Sequence, residues 1–192
     1  MFERIRRKNA VRAGKTDISR WTDSKNHEVA WATRSAFAAA ACSDSLCVCD
    51  IGCGMQELKS LLANSIIYLP ADLQQWTVDT AICDLNAKRL PDAYLKRADT
   101  VTMLGVIEYI YDMKWVLESL RPLISKMIIS YNPTDFGNLD RLANGWVNTH
   151  SLGGLVRLFH DSGFLVKRLE RINEWEVILV GISVQPSGPQ QT

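Results

Sequence analysis

The sequence predicts an α/β domain built on a doubly wound, mostly parallel sheet of seven strands with flanking helices. From Leu46 onward, short apolar runs alternate with helical segments, which is the pattern of a parallel sheet covered on both faces. The first run ends at Asp50 and continues through a turn containing Gly52 and Gly54 into a helix. The last two runs are separated only by residues 172–174, too few for a crossover, so these strands must form an antiparallel C-terminal hairpin.

Each predicted strand is a short apolar run that ends at a turn residue or an acid. The seven runs are 46–50, 66–69, 80–83, 100–104, 127–131, 164–171 and 175–183. We expect Pro70 to end the second strand and Pro133 to follow the end of the fifth, because proline donates no hydrogen bond to a sheet. The second and third strands deliver Asp72 and Asp84 at their carboxyl ends.

Polar caps and helical periodicity predict the helices. Polar residues at 21–24 predict the start of a helix over 25–41, which should pack as a lid beside the first strand. A short helix carrying Leu58 should follow the glycine turn, and a helix over 151–160 should precede the final hairpin. The stretch 134–149 is irregular, and a loop of this length in a compact domain is usually functional or mobile.

Composition predicts one domain, at 21–184, because 192 residues with 47% hydrophobic positions suffice for one substantial core. A basic arm at 1–20 precedes it and a polar tail at 185–192, expected to be disordered, follows it. The arm holds seven Lys and Arg residues against Glu3 and Asp17, so we expect it to be solvated and partly disordered. Its alternative role is a contact to phosphate, lipid or an acidic partner.

The sequence contains no run of about eighteen apolar residues and no N-terminal signal, so we expect a cytoplasmic protein without a membrane span. Four of its five cysteines lie between residues 42 and 53, which raises the alternative of a metal knuckle. However, Cys47 and Cys49 alternate along a predicted strand, and Cys53 lies within the glycine turn. We therefore predict reduced thiols and no metal.

The turn after the first strand distinguishes two families of nucleotide-binding fold. A dinucleotide-binding turn requires G-x-G-x-x-G, and Glu57 occupies the place of its third glycine. The segment Asp50-Ile51-Gly52-Cys53-Gly54 instead resembles motif I of the Rossmann-like, class I methyltransferases that depend on S-adenosylmethionine (SAM). Gln56 stands where that family has its third glycine. The resemblance implies the strand order 3-2-1-4-5-7-6 and SAM as the cofactor.

Three acids end three successive predicted strands, where ligands bind in doubly wound folds. Asp72 lies twenty residues after Gly52, where a carboxylate can accept both hydrogen bonds of a ribose diol; alternatively it caps a turn begun at Pro70. The resemblance implies that Asp84 and Leu85 bind adenine, with a plain loop acid as the alternative. The implied cofactor site comprises Asp50, Gly52, Cys53, Gly54, Asp72, Leu73, Asp84, Leu85, Leu104 and Gly105.

The segment 103–112 also resembles the family's motif after the fourth strand, with Tyr109 in place of its usual histidine. Glu108 in this segment either caps the next helix or faces the substrate as a catalytic group. His150 is the best placed candidate for a general base because it follows the long loop, unless it caps the helix that begins at Ser151. Four further side chains either line an acceptor pocket or pack at the sheet edge: Tyr109, Tyr131, Asn132 and Trp146.

These features together predict a SAM-dependent methyltransferase acting on a small-molecule or sugar-like acceptor. A net charge of +1, the lack of an added recognition domain and the lack of an Asn/Asp-Pro-Pro-Tyr/Phe segment disfavour nucleic acid as the acceptor. One alternative is a protein of the same fold that binds a partner or metabolite without catalysis. A second alternative is a nucleic-acid-directed methyltransferase that uses residues 4–20 as a phosphate anchor.

Overall fold

The computed structural model describes residues 2–21, 31–137 and 139–184 and contains a seven-stranded sheet. Its strands are β1 Cys47–Ile51, β2 Ile67–Asp72, β3 Ala81–Ile82, β4 Thr100–Met103, β5 Lys126–Tyr131, β6 Phe164–Arg171 and β7 Val177–Ser183. The spatial order is β3-β2-β1-β4-β5-β7-β6, with β1 to β5 mutually parallel and β7 antiparallel to both β5 and β6. The predicted fold class and strand order are confirmed.

Helices cover both faces of this sheet. They are α1 Phe2–Arg12, α2 Ile18–Trp21, α3 Ala32–Ala41, α4 Asp92–Leu95, α5 Met113–Leu120 and α6 Leu152–Asp161. Single 3₁₀ turns span Glu57–Leu61, Leu85–Ala87, Ile107–Tyr109 and Thr134–Phe136. Within the described ranges, no helix combines the length and apolar character that a membrane crossing requires. The five cysteines are buried free thiols.

The alternation of side chains along the buried strands separates two hydrophobic clusters. In β1, Cys47, Cys49 and Ile51 join the cluster beneath α4, α5 and α6, whereas Val48 joins the cluster beneath α3. Likewise, Ile128 of β5 faces the α3 cluster, and its neighbours in the strand face the other. Because both faces are covered, these strands are apolar almost throughout, which explains why they could be predicted.

Pro70 lies inside β2 rather than ending it, so this part of the prediction was wrong. The backbone N–H of Ile67 points toward the β1 side of the strand, where it donates to Leu46 O. Backbone N–H groups of successive residues point to alternate sides of a strand. The nitrogen of Pro70, three residues later, therefore points toward β3. β3 is only two residues long and pairs with Ala71 and Asp72, beyond Pro70. The proline therefore removes no ladder hydrogen bond, and β2 continues to Asp72.

The N-terminal region differs most from its prediction. The described residues of the arm predicted at 1–20, which we expected to be partly disordered, include helix α1 and residues 18–20 of helix α2. The helix expected over 25–41 is described from α3 at Ala32, and the part of that prediction at 25–30 lies outside the described residues, as does the tail at 185–192. The short helix carrying Leu58 that was expected after the glycine turn is present as a 3₁₀ helix over Glu57–Leu61, and it follows Gln56 in the left-handed conformation.

Phe159 provides a test of how α6 is packed. The side chain is fully buried and lies 5.9 Å from Phe164, ring centroid to ring centroid. Phe159→Ala should lower the free energy of unfolding by about 3–5 kcal/mol, because the cavity left behind cannot collapse fully. Leu165→Ala, at a side chain on β6 that is 44% exposed, should change it by only about 0.5 kcal/mol. Urea unfolding measures both values, and equal losses would contradict the packing described.

Candidate active site at the carboxyl edge of the sheet

A cavity of about 350 Å³ opens at the carboxyl ends of β1, β2 and β4, where strand order reverses. This volume lies in the range of small-molecule sites. Of the residues predicted from the sequence, eight line the cavity: Gly52, Asp72, Leu73, Asp84, Leu85, Leu104, Gly105 and Glu108. Four do not line it: Asp50, Cys53, Gly54 and His150.

The glycine turn brings bare backbone to the cavity wall. Gly52 has φ of +78°, and its N–H donates to Ala71 O of β2 at 2.8 Å. A Cβ at this position would lie 2.2 Å from Cγ2 of Val106, so the turn and the segment after β4 can approach only because residue 52 is glycine. The turn therefore needs glycine at this position for both its conformation and its packing.

Asp72 holds this turn from the neighbouring strand. Its Oδ2 accepts a hydrogen bond from Gly54 N–H at 2.7 Å, and its Oδ1 accepts one from Leu73 N–H at 2.6 Å. The carboxyl group is buried and lines the cavity. The structure thus gives Asp72 a structural role in the turn in addition to a place in the cavity wall.

Asp84 occupies the adjoining strand end. Its Oδ1 accepts hydrogen bonds from Asn86 N–H at 3.1 Å and Ala87 N–H at 3.3 Å, which caps the Leu85–Ala87 turn. The hydroxyl of Thr16, from the N-terminal segment, lies 3.4 Å from the same oxygen. All the hydrogen bonds found for this side chain among the described residues use Oδ1.

Asp50 lies beneath the turn rather than in the cavity wall. Its carboxylate accepts hydrogen bonds from Tyr68 Oη at 2.7 Å and Thr102 Oγ1 at 2.6 Å. Burial raises the pKa of Asp50, and the nearby Asp72 carboxylate raises it further. Of the three acids predicted to meet at one cleft, Asp72 and Asp84 line the cavity, whereas Asp50 is buried beneath the glycine turn.

Cys53 is also buried, and burial raises the pKa of its thiol.

Gln56 takes a backbone conformation that favours glycine. Its φ is +61°, in the left-handed region that non-glycine residues seldom occupy. The side chain is buried, and its Nε2 donates to Thr77 Oγ1 at 2.9 Å and toward Thr80 Oγ1 at 3.4 Å. It is thus directed to the loop between β2 and β3 and does not line the cavity.

Glu108 faces the cavity instead of capping the helix that follows. Asp112 is the cap of α5, since its Oδ1 accepts from Trp115 N–H at 3.0 Å. Oε1 of Glu108 accepts from Asn132 N–H at 3.1 Å and Asn132 Nδ2 at 2.9 Å, whereas its buried Oε2 has no hydrogen-bond partner among the described residues. Burial raises the pKa of Glu108; Glu176 raises it further, and Arg34 opposes the shift.

An ion pair that the sequence analysis missed also lines the cavity. Arg34 Nη1 of α3 lies 3.1 Å from Glu176 Oε1, just before β7, and both side chains are buried. The guanidinium lies against Gly105, where a Cβ would be 2.5 Å from Nη1, and Nε of Arg34 has no partner among the described residues. The pair joins positions 142 apart in the sequence, and no local pattern indicates it.

His150 does not reach the cavity. Its backbone N–H donates to Tyr131 Oη at 3.0 Å, and its carbonyl accepts from Thr134 N–H at 3.0 Å. Burial lowers the pKa of the imidazole, and the charge of Arg141 lowers it further. The cap of α6 is Ser151, whose Oγ accepts from Gly154 N–H at 3.1 Å.

Four side chains were predicted either to line an acceptor pocket or to pack at the sheet edge. Tyr109, Asn132 and Trp146 line the cavity, whereas Tyr131 does not.

Gly52→Ala should separate the two requirements at the glycine turn. Gly14 has φ of +64° and open space where a Cβ would lie, so Gly14→Ala measures the conformational cost alone, about 1–2 kcal/mol. Gly52→Ala should destabilise the protein by about 1–3 kcal/mol more, because its methyl group meets Val106. In a Val106→Ala background the extra cost should disappear. Thermal or urea unfolding measures the four variants; a cost at residue 52 that is independent of residue 106 would contradict the contact.

Glu108→Gln should change how stability depends on pH. Since the folded-state pKa is raised, wild type loses stability relative to the variant as pH rises above the ordinary value of 4.5, until pH passes the folded-state pKa. Below 4.5 the difference between the two proteins should be constant. Urea unfolding of both proteins from acid to neutral pH measures this difference. Glu118→Gln, on the exposed side of α5, is the control, and parallel curves for Glu108→Gln and wild type would exclude the shift.

Comparison with known proteins relates this geometry to one class of fold. No protein-family model matches the chain, and no curated protein sequence matches it. The solved structure of human N-acetylserotonin methyltransferase in complex with SAM superposes with a TM-score of 0.66 at 14% identity, over 86% of this chain. Mitomycin 7-O-methyltransferase MmcR gives 0.65 at 16% identity over 84%.

A third structure, magnesium protoporphyrin IX methyltransferase ChlM from Synechocystis PCC 6803 with bound SAH, gives a TM-score of 0.57 at 16% identity, over 81% of this chain. The chain spans 84% of the length of that protein but only 56% of the length of each of the other two. All three superpose on this chain at low sequence identity. The chain therefore has the Rossmann-like fold of the class I SAM-dependent methyltransferases.

Proposed function

We propose that this chain binds SAM in the cavity at the carboxyl edge of the sheet and transfers its methyl group to a small-molecule acceptor. The observation that carries the proposal is that Asp72 and Asp84, from successive strands, line one cavity with the glycine turn at Gly52. Ligands of doubly wound folds bind at this edge. The structural neighbours add support, because their names describe methyltransferases of small molecules, two of them in complex with SAM or SAH.

The residues present fit the adenosyl part of SAM. Asp84 uses Oδ1 for backbone hydrogen bonds, so Oδ2 can accept from the adenine amino group while Leu85 contacts the ring. Asp72 lies at the end of the neighbouring strand, where its carboxylate can accept from the ribose hydroxyls. Gly52 allows close approach of backbone to the ligand at the same place.

The charges of the cavity fit the remaining part of SAM. Four carboxyl groups line the cavity against the guanidinium of Arg34; they belong to Asp72, Asp84, Glu108 and Glu176. An excess of carboxylates favours a ligand that carries a sulfonium and an ammonium group. Arg34, with an unpartnered Nε among the described residues, would hold the ligand's carboxylate.

SAM, when bound, supplies an electrophilic methyl carbon, so the chain mainly has to align the acceptor and exclude water. A hydroxyl acceptor must lose its proton, and Oε2 of Glu108 is the group we assign to take it. Glu108 would pass this proton on to solvent, while bound SAM would supply the methyl group to the acceptor oxygen and keep the electron pair of the carbon–sulfur bond on its sulfur. His150 has no part in this scheme because it lies outside the cavity wall.

The orientation of Gln56 supports cofactor binding and so removes one argument for a protein of this fold that does not use SAM. A side chain in place of the family's third glycine would be expected to fill part of the cofactor site. Here the amide is bonded to Thr77 and Thr80, away from the cavity wall. The departure from the motif therefore leaves the proposed cofactor position accessible.

Calorimetric titration with SAM and with SAH tests the cofactor assignment. Asp72→Asn and Asp84→Asn should each weaken binding by about 1.5–3 kcal/mol, roughly tenfold or more, because each removes a charged acceptor from the ligand. Asp99→Asn is the matched control, since Asp99 also accepts from two backbone amides, Leu46 N–H at 2.7 Å and Cys47 N–H at 3.0 Å, at the opposite end of β1. Failure of the folded wild type to bind either ligand would refute the proposal.

A further inference from the structure

Aromatic side chains line the cavity, and three of them, Trp21, Tyr109 and Trp146, contact one another and form an aromatic wall. Four rings from separate segments line the cavity, and they belong to Trp21, Trp31, Tyr109 and Trp146. Trp21 and Tyr109 meet edge to face with ring centroids 4.8 Å apart, and Trp146 Nε1 donates to Tyr109 Oη at 3.1 Å. These rings lie on α2, before α3, after β4 and in the loop after β5, away from the strand ends that carry Asp72 and Asp84.

A guanidinium already stacks on three of these rings. Arg20 lies 4.4 Å from the centroid of Trp21, Arg34 lies 4.9 Å from that of Trp31, and Arg141 lies 4.8 Å from that of Trp146. A ring face attracts a cation through its quadrupole, and here protein cations already use that attraction. A cationic ligand against this wall would have to compete with these guanidinium groups for the ring faces, whereas a neutral, electron-rich ring would not.

Glu108 supplies the polar group of the same wall. Its Oε1 is held by two hydrogen bonds from Asn132, which fixes the carboxyl group in one orientation. Glu108 lines the cavity and is 1% exposed, and its buried Oε2 has no hydrogen-bond partner among the described residues. A buried acceptor of this kind is costly to leave unpaired, so it points to a ligand that donates a hydrogen bond at this position.

We propose that the acceptor is a neutral, planar aromatic compound whose ring packs against the wall formed by Trp21, Tyr109 and Trp146 and whose hydroxyl group donates to Oε2 of Glu108. The inference rests on the proposed function for the methyl transfer itself, but the aromatic site follows from the wall alone. It selects an aromatic hydroxyl over a sugar-like acceptor, whose saturated ring presents only C–H groups to the tryptophans, and over a quaternary amine, which would compete with the arginines for the ring faces.

Four probes test the site by isothermal titration calorimetry in the absence of cofactor: 2-naphthol, 2-methoxynaphthalene, decahydro-2-naphthol and phenyltrimethylammonium. We expect 2-naphthol to bind at least about tenfold more tightly than each of the others, because only it combines the flat neutral ring with the donor. Equal affinity for 2-methoxynaphthalene would overturn the role of Glu108. Equal or tighter binding of decahydro-2-naphthol or phenyltrimethylammonium would overturn the neutral aromatic assignment.

Substitutions in the cavity wall test where the naphthalene probes bind. Glu108→Gln should abolish the preference for 2-naphthol over 2-methoxynaphthalene, since an amide nitrogen at the Oε2 position cannot accept the hydroxyl proton. Trp146→Leu should weaken both naphthalene probes by about tenfold. Glu118→Gln and Trp175→Leu, at side chains outside the cavity wall, are the matched controls and should leave binding unchanged. Circular dichroism confirms folding, and the probe series on wild type decides the question if a cavity variant does not fold.

Titration with SAM separates this inference from the proposed function. If SAM binds but 2-naphthol does not, the aromatic acceptor is refuted and the cofactor site stands. If 2-naphthol binds with the expected preference but neither SAM nor SAH does, the methyltransferase proposal is refuted and the aromatic site stands.

Discussion

The candidate site depends on one carboxylate that joins the ends of two strands. Asp72, the last residue of β2, accepts hydrogen bonds from Gly54 N–H at 2.7 Å and Leu73 N–H at 2.6 Å, both at the short end of the usual range. These two hydrogen bonds connect the glycine turn after β1 to the carboxyl end of β2. Asp50 supports the turn from below through Tyr68 and Thr102, which ties β1 to β2 and β4. The cavity has a defined shape because its glycine-lined side cannot move independently of the sheet.

Sequence periodicity predicted the sheet well for a physical reason. Strands buried on both faces are nearly continuous apolar runs, and the short link before β7 permits only an antiparallel hairpin. The edge of the sheet was less predictable because the constraints there are not local. Pro70 fits within β2 only because β3 is so short, and Asp112 rather than Glu108 caps α5 because of the register of the 3₁₀ turn before it. The Arg34–Glu176 pair depends on the packing of α3 near β7, which no local spacing encodes.

Gln56 illustrates how a motif can change without loss of the backbone shape it encodes. The left-handed conformation costs a non-glycine residue about 1–2 kcal/mol, and two hydrogen-bond partners in the β2–β3 loop, Thr77 and Thr80, offset part of that cost. The same contacts direct the side chain away from the cavity. The geometry of the turn is therefore retained, while the glycine pattern that would identify it in the sequence is incomplete.

Two of the buried polar atoms that lack a hydrogen-bond partner among the described residues belong to side chains that line the cavity; a third, Ser162 Oγ, lies at the end of α6. Each costs about 1–3 kcal/mol, against a total stability of about 5–15 kcal/mol for a typical domain. Glu108 Oε2 and Arg34 Nε both lack partners among the described residues, and both residues line the same cavity. Because an unpaired buried polar atom lowers stability, folding alone does not account for Glu108 Oε2 and Arg34 Nε. A ligand that presents a donor to Glu108 and an acceptor to Arg34 would satisfy both atoms at once, which makes binding the simplest physical reason for their presence.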